Sequence, residues 1–273
     1  MTKTIKYEYG LVTYIDILGF GELIRSEKNP KKINEIYETL QKEAKFDVET
    51  EKMFSQKFVN FSDCCVRTTP FIAKDGKLNK FGILFTEILQ IVFIQVSLIH
   101  HHNILLRGAL TIDKIYHEKN KIFGPALVRA YKLERDLAVF PRIILDSTIF
   151  EIYNSTPLLK AWHHNHEEDK DYLRSYIRKG DDGIWFVDYL SGIEKQFDCE
   201  IDYIDFLQHH KKTIIDNVQK SKKNEKIIVK YNWLMNYHNS VVMKYDSAYY
   251  EQLGVNIEKI MINAKEMPMN YEL

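Results

Sequence analysis

Cysteine is scarce in this chain of 273 residues: Cys64, Cys65 and Cys199 are the whole set, and no Cys-x-x-Cys pair occurs. Adjacent Cys64 and Cys65 point to opposite faces of a strand, which argues against a shared zinc. An odd count without a framework fits a reducing cytoplasm rather than a disulfide-stapled secreted domain. Net charge is missing as well. Lys and Arg total 38 against 38 Asp and Glu, and without a cationic surplus the counterion release that drives general nucleic-acid binding is absent. Residues 1–8 have no continuous apolar core, so no secretory leader is expected. Neither Gly-x-Gly-x-x-Gly nor Gly-x-x-x-x-Gly-Lys-Ser/Thr is present, and no repeat or low-complexity tract is found. A doubly wound dinucleotide domain and a P-loop are therefore not expected.

What the chain does have is apolar material, 45% of its residues, enough to bury a sizeable core. One stretch at 81–99, FGILFTEILQIVFIQVSLI, is long enough to span a bilayer. Thr86, Glu87, Gln90 and Ser97 recur in it near helical spacing, and a charged Glu in a lone span is costly. A buried core helix is the expectation, with no membrane span.

Strand-like and helix-like segments alternate over the first 190 or so residues. Strands are predicted at 7–17, 57–63, 64–69, 104–112, 121–123, 140–145 and 183–190, from β-branched and aromatic enrichment between turn residues. Gly19 and Gly21 punctuate a turn into a helix. Asn29-Pro30 caps another at 31–44, a long helix covers 79–102, and Gly124-Pro125 opens one bearing Leu127, Ala130 and Leu133. The order β-α-α-β-β-α-β-β-α-β, with two hairpin-length turns, describes an α+β fold with helices packed on a mixed β-sheet. Helices are predicted at 202–219, 224–244 and 256–263. The division expected is a catalytic unit at 1–195 and a helical C-terminal extension at 196–273.

Two acids stand out. Asp16 ends a strongly apolar strand and is followed at once by Ile17-Leu18-Gly19-Phe20-Gly21. A carboxylate at a strand tip suits a hard cation, and the free amides of a glycine-bearing turn suit the phosphate that such a cation accompanies. Asp63 sits at the hairpin turn of KFVNFSDCCVRT, between two strands expected to be central. If their elements are neighbours, the two acids converge and suit a pair of Mg²⁺ or Mn²⁺ ions for in-line phosphoryl chemistry. Taken singly, Asp16 reads better as a helix cap and Asp63 as a turn residue; together, with their flanking sequences, they read as a site.

Tyr14-Ile15-Asp16-Ile17-Leu18-Gly19-Phe20 and Phe61-Ser62-Asp63, 47 residues apart from Asp to Asp, resemble the two metal-binding motifs of the class III nucleotidyl cyclases. Leu106-Arg107-Gly108-Ala109-Leu110 resembles the strand that follows, and Ile122-Phe123-Gly124 with Ala130-Tyr131-Lys132-Leu133-Glu134 the later strand-turn-helix. The resemblance runs over about residues 8–190 and implies a ferredoxin-like palm. It implies a head-to-tail homodimer in which Asp16, Asp63 and the Ile17 carbonyl hold two ions. Leu18, Gly19, Phe20 and Gly21 then cradle the β- and γ-phosphates, and the cationic helix comes from the partner.

The departures are specific. By that alignment Val128 falls where purine cyclases carry a catalytic Asn, and Lys132 where they carry a transition-state Arg. Val59 falls where they carry a purine-reading Lys or Glu. A buried Val cannot hydrogen-bond a base edge. This combination most resembles the bacterial pyrimidine cyclases of Pycsar anti-phage defence, which make cyclic UMP or cyclic CMP from the nucleoside triphosphate. Lys132 and Arg129 are then the candidates for neutralising phosphate charge, Lys as a point charge without the fork of Arg. A purine cyclase with an atypical pocket and a catalytically inactive cyclase-fold binding protein are the alternatives.

Weaker candidates are His100-His101-His102 and His163, His164 and His166, read as solvated surface. Arg107 must find a partner, either an acid or a phosphate. Arg142 is read as structural, and Tyr231, Trp233, Tyr237 and His238 as core or dimer packing.

Overall fold

The computed structural model describes residues 5–45, 55–71, 80–155, 166–220 and 224–267. Four strands form the heart of the sheet: β1 (Glu8–Ile17), β2 (Lys57–Phe61), β3 (Cys64–Pro70) and β4 (Leu106–Glu118). They lie in the order β2-β3-β1-β4, every neighbouring pair antiparallel. Helices α1 (Phe20–Ser26) and α2 (Pro30–Ala44) connect β1 to β2, and α3 (Lys80–His102) connects β3 to β4. This is the split βαββαβ arrangement of a ferredoxin-like palm, as expected. The sheet continues through β6 (Ile143–Leu145), parallel to β4, and then β8 (Trp185–Val187) and β7 (Ile177–Lys179), which makes it mixed; β5 (Lys121–Phe123) forms a hairpin with β4.

Alternation along β1 explains the two layers. Leu11, Ile15 and Ile17 join the main core, while Val12 joins a smaller one with Val66, Ile115, Ala126 and Ala130. The second core is closed by α4 (Pro125–Leu137), which packs on β1 and β4. Asp16 shares the parity of Val12 and Tyr14, so it emerges on the α4 side.

Two expectations are corrected. The Asp63 hairpin does not lie between central strands, because β2 is the sheet edge. The strand expected at 183–190 stops at Val187. Asp188 then caps a helix, α7 (Tyr189–Glu194), accepting from the Ser191 amide at 3.2 Å, since an Asx cap competes with strand continuation. Between β6 and β7 lie α5 (Ser147–Ser155) and α6 (His166–Arg174).

Helix α3 is the one described helix long and apolar enough to cross a membrane. Its Ile83, Leu84, Ile88, Ile91, Val92 and Leu98 are buried in this chain's own core, against α2 and α7. Thr86, Gln90 and Ser97 are half-buried, but Glu87 is not on a polar stripe; it points inward to an ion pair with Arg67 of β3.

The extension folds as α8 (Glu200–Lys220), α9 (Glu225–Val242), α10 (Ser247–Gln252) and α11 (Ile257–Ile260). Phe206, Leu207, Ile214, Leu234, Tyr237 and Val241 bury into the same core as the sheet. At its centre two histidines form a relay whose tautomers are set by one carbonyl. The Ile260 oxygen can only accept, so His238 Nε2 donates to it at 3.0 Å. His238 Nδ1 must then accept from His210 Nδ1 at 3.0 Å, and His210 Nε2 accepts from the Tyr189 hydroxyl at 2.8 Å. A proton on His238 Nδ1 would set N–H against N–H across the pair. Burial depresses His238 to about 4, with Lys211 adding to the shift against the Ile260 bond, and depresses His210 too, with His238 and His209 adding to it. A base held neutral in the fold gives stability that is lost as pH falls from the unfolded value near 6.5 towards 4. Thermal melts should therefore lose about 3 kcal/mol across that window. A slope that His238→Gln leaves unchanged would show that the pair is not its source.

Candidate active site

The chain leaving β1 is held on both sides. Asp16 is paired across the sheet with Cys64 of β3 and Arg107 of β4. The next amide, Ile17, donates to the Asp63 carbonyl at 3.0 Å, and Leu18 donates to the Leu105 carbonyl at 2.9 Å. The first bond fastens the Ser62-Asp63 turn to the end of β1, so two acids 47 residues apart in sequence arrive at one place. Gly19 then takes φ 77° as the residue before α1, a left-handed conformation that an L side chain would oppose.

Arg107 organises the acids. Its Nε donates to Asp16 Oδ2 at 2.9 Å, and its Nη2 lies 2.8 Å from Oε1 of the buried Glu134 on α4. Burial pushes the Asp16 carboxyl above its usual range; Arg107 pulls it down, and Asp63 pushes it up again. Glu134 is likewise raised, by burial first and by Asp16 and Asp63, against Arg107. Lys230 of α9 belongs to the same cluster. Burial and Arg107 push its ammonium down, while Asp16 and Glu134 oppose the shift. Burial also raises the Cys64 thiol and the Tyr14 hydroxyl, so neither is an anionic nucleophile at neutral pH.

The charge of Asp63 thus raises both neighbouring carboxyls, and negative charge is concentrated around Arg107. Asp16 and Asp63 carry carboxylate oxygens, the donor type that Mg²⁺ and Mn²⁺ take. Among the described residues no set of three or more His, Cys, Asp or Glu is poised around one point. Mg²⁺ can be held by one or two carboxylates, its shell completed by phosphate and water oxygens.

The other candidates divide. The Ile17 main chain lies beside Asp16. Phe20 and Gly21 start α1, whose first internal bonds run from Glu22 and Leu23 to the Gly19 carbonyl, so their amides have no acceptor within the helix. Leu18 departs from expectation, because its amide is committed to Leu105. Val59 is buried on β2 opposite Val66. Arg129 is held by both oxygens of Asp146, with Nη2 to Oδ1 at 2.7 Å; against burial, bonds from Arg129, Thr111 and Thr148 keep that carboxyl below its usual range.

Lys132 and Val128 are exposed on the outer side of α4, along a groove of about 930 Å³ with Tyr7, Phe123 and Leu137. Residues two apart on a helix point some 200° apart, so the rotation that turns Glu134 to Arg107 turns Lys132 away from it. Within one chain Lys132 and Arg129 are thus not brought to Asp16 and Asp63.

Glu134 and Lys230 escape the sequence reading. Glu134 carried a signal: with Ala126 and Ala130 it occupies every fourth position of a buried stripe, where a charge needs a partner. Lys230 carried none, because it comes from the extension. Arg142 is structural, fully buried, paired with Asp182 and set over the rings of Phe140, Phe186 and Trp233. Tyr231, Tyr237 and His238 are core. His100 and His101 are exposed, and His102 bonds to Thr39 at 2.7 Å. His163, His164 and the His166 side chain lie outside the described residues.

No protein-family model matches the chain, and no curated protein matches its sequence. Solved structures that resemble it include the adenylyl cyclase CyaB from P. aeruginosa, at 13% identity over 56% of this chain and 84% of that one, with a TM-score of 0.39. A bacterial light-regulated adenylyl cyclase matches at 14% identity over 55% and 81%, TM-score 0.37. The catalytic core of a rhodopsin-guanylyl cyclase with converted specificity, in complex with ATPαS, matches at 12% identity over 66% and 96%, TM-score 0.41. At these values the likeness assigns no residue.

Proposed function

We propose that the chain is a metal-dependent nucleotidyl cyclase that converts a pyrimidine nucleoside triphosphate, UTP or CTP, to its 3′,5′-cyclic monophosphate and pyrophosphate, as a signal in anti-phage defence. The observation that carries this reading is the bond from the Ile17 amide to the Asp63 carbonyl, which brings Asp63 to Asp16 beside the Gly19 turn.

Asp16 and Asp63 would hold Mg²⁺ or Mn²⁺, with the Ile17 carbonyl as a further oxygen donor. Bound there, divalent ions supply a lowered pKa for the ribose 3′-hydroxyl and countercharge for the triphosphate. Arg107, braced by Glu134, fixes the orientation of the Asp16 carboxylate. The turn amides of Gly19, Phe20 and Gly21 face the terminal phosphates. Val59 offers the base an apolar wall in place of a purine-reading polar group. Lys132 serves the partner's site in a head-to-tail homodimer. Its exposure supports this, as do the exposed Val128, Tyr131 and Leu137 around it on α4, an apolar patch of the kind that marks interfaces.

A second reading, a cyclase-fold protein that binds nucleotide without turnover, draws on Arg129 being held by Asp146. The experiment that separates them is incubation of the purified protein with each of the four nucleoside triphosphates and Mn²⁺, with chromatographic detection of cyclic monophosphates. Cyclic UMP or cyclic CMP is expected to dominate over the purine products. Product from ATP or GTP alone would remove the pyrimidine assignment. Nucleotide binding with no product from any of the four would favour the non-catalytic reading.

A further inference from the structure

Between the turn after β1 and the C-terminal helices lies a cavity of about 550 Å³, within the range of small-molecule sites. One wall is Leu18 and Gly19; the opposite wall is Asn217 and Lys220 of α8 with Lys230 of α9. The polar groups around it are mostly satisfied within the chain. Asn217 donates to the Thr213 carbonyl at 2.9 Å, Asn103 accepts from the Thr213 hydroxyl at 2.8 Å, and Glu22 is paired with Arg25 at 3.2 Å. The two lysines differ. Among the described residues neither ammonium makes an ion pair within 4.0 Å.

Lys230 is half-buried and within electrostatic reach of Asp16, Arg107 and Glu134. A lysine kept there only to neutralise Asp16 or Glu134 would sit in contact with one of them, as Arg107 does with both. Lys230 instead stands off, with an open volume beside it. Burying a cation without a contacting partner costs stability, and that cost is offset when an anion enters the volume.

We infer that this cavity binds a polyphosphate and that Lys230, with Lys220 at the rim, holds it, so that the C-terminal helices form one wall of the active site. Resting on the cyclase reading, the inference places the β- and γ-phosphates of the substrate against α8 and α9 of the same chain. The helices thereby become part of substrate recognition as well as of the core. The ligand class is a linear polyphosphate carried by a divalent cation, either free or as the tail of a nucleotide.

The test is calorimetric titration of the full chain with tripolyphosphate and Mg²⁺, alongside nucleotide kinetics. Lys230→Gln should weaken tripolyphosphate about tenfold, the scale of one charge-assisted contact, and raise KM for the nucleotide by a similar factor with kcat little changed. Lys230→Arg should keep most of the affinity. Lys212→Gln, exposed on α8 and absent from the cavity wall, should match the parent. Removing a half-buried charge should not lower the melting temperature, so a folded Lys230→Gln is expected. Equal tripolyphosphate affinity in Lys230→Gln and parent would overturn the inference, even in an active cyclase. If no triphosphate is turned over but tripolyphosphate binding still depends on Lys230, the cyclase reading falls and the anion site stands.

Discussion

Asp16→Asn is expected to lower kcat/KM for cyclisation about 10³-fold, the scale of losing a central charge-stabilising group, and to leave the fold intact. The carboxylate is where the proposed metal, Arg107 and the charge of Asp63 meet. Asn keeps an oxygen to accept from Arg107 Nε but removes the anion. The same substitution should be harmless to stability, because burial and Asp63 already raise the Asp16 carboxyl against the pull of Arg107. A carboxyl raised in the fold adds stability at low pH that is lost as pH rises through its folded value. The neutral Asn should therefore melt at or above the parent temperature once pH exceeds the folded value of the carboxyl. If sites are composite, Asp16→Asn mixed with Lys132→Ala should recover activity that neither has alone, since a mixed dimer contains one intact site. Full activity in Asp16→Asn, or loss of activity together with a collapsed melt, would end the metal assignment.

The two acids were legible because their signal is local: a carboxylate at the tip of an apolar strand, and a second at a tight hairpin. Hairpin and crossover lengths gave the order of elements and a mixed sheet, while the order of strands within it came only as what the cyclase resemblance implies. What closes the site was not legible. Glu134 and Lys230 come from helices whose rotation is set by packing on β1 and on α8, and neither distance appears in any short window of sequence. The edge position of β2 was missed for a related reason. Val59 is buried opposite Val66 of β3, and no short window of sequence tells that β2 pairs on one side alone among the described residues. Helix α3 was correctly read as core, but periodicity placed Glu87 on the polar side, and only the position of Arg67 on β3 explains why it turns inward.

Glu87→Ala should be the most damaging single change away from the site. Glu87 is buried, and its carboxylate gathers three side chains: Thr13 Oγ1 at 2.5 Å, Arg67 Nη2 at 3.0 Å and Thr69 Oγ1 at 3.3 Å. Thr13 lies on β1, and Arg67 and Thr69 on β3, with Thr13 directly opposite Arg67 in the ladder. One helical acid thus ties α3 to the two strands that end in Asp16 and the Asp63 hairpin. Truncation removes the carboxylate that contacts the fully buried Arg67 cation, and breaking one side of a buried pair costs about 3–5 kcal/mol. In a chain of this size that lowers the melting temperature by roughly 10 °C. The pair need not be stabilising compared with an apolar substitute of similar volume. Arg67→Met combined with Glu87→Leu should recover most of the loss, because no charge is then stranded. A single substitution costing under about 1 kcal/mol would mean that water reaches Arg67. A double substitution as damaging as the single would mean that the Thr13 and Thr69 hydroxyls, left without an acceptor, account for the cost. Either way β1 and β3 report on it: loosened strands would separate Asp16 from Asp63, and cyclisation would fall with stability in the single variant and return with it in the double.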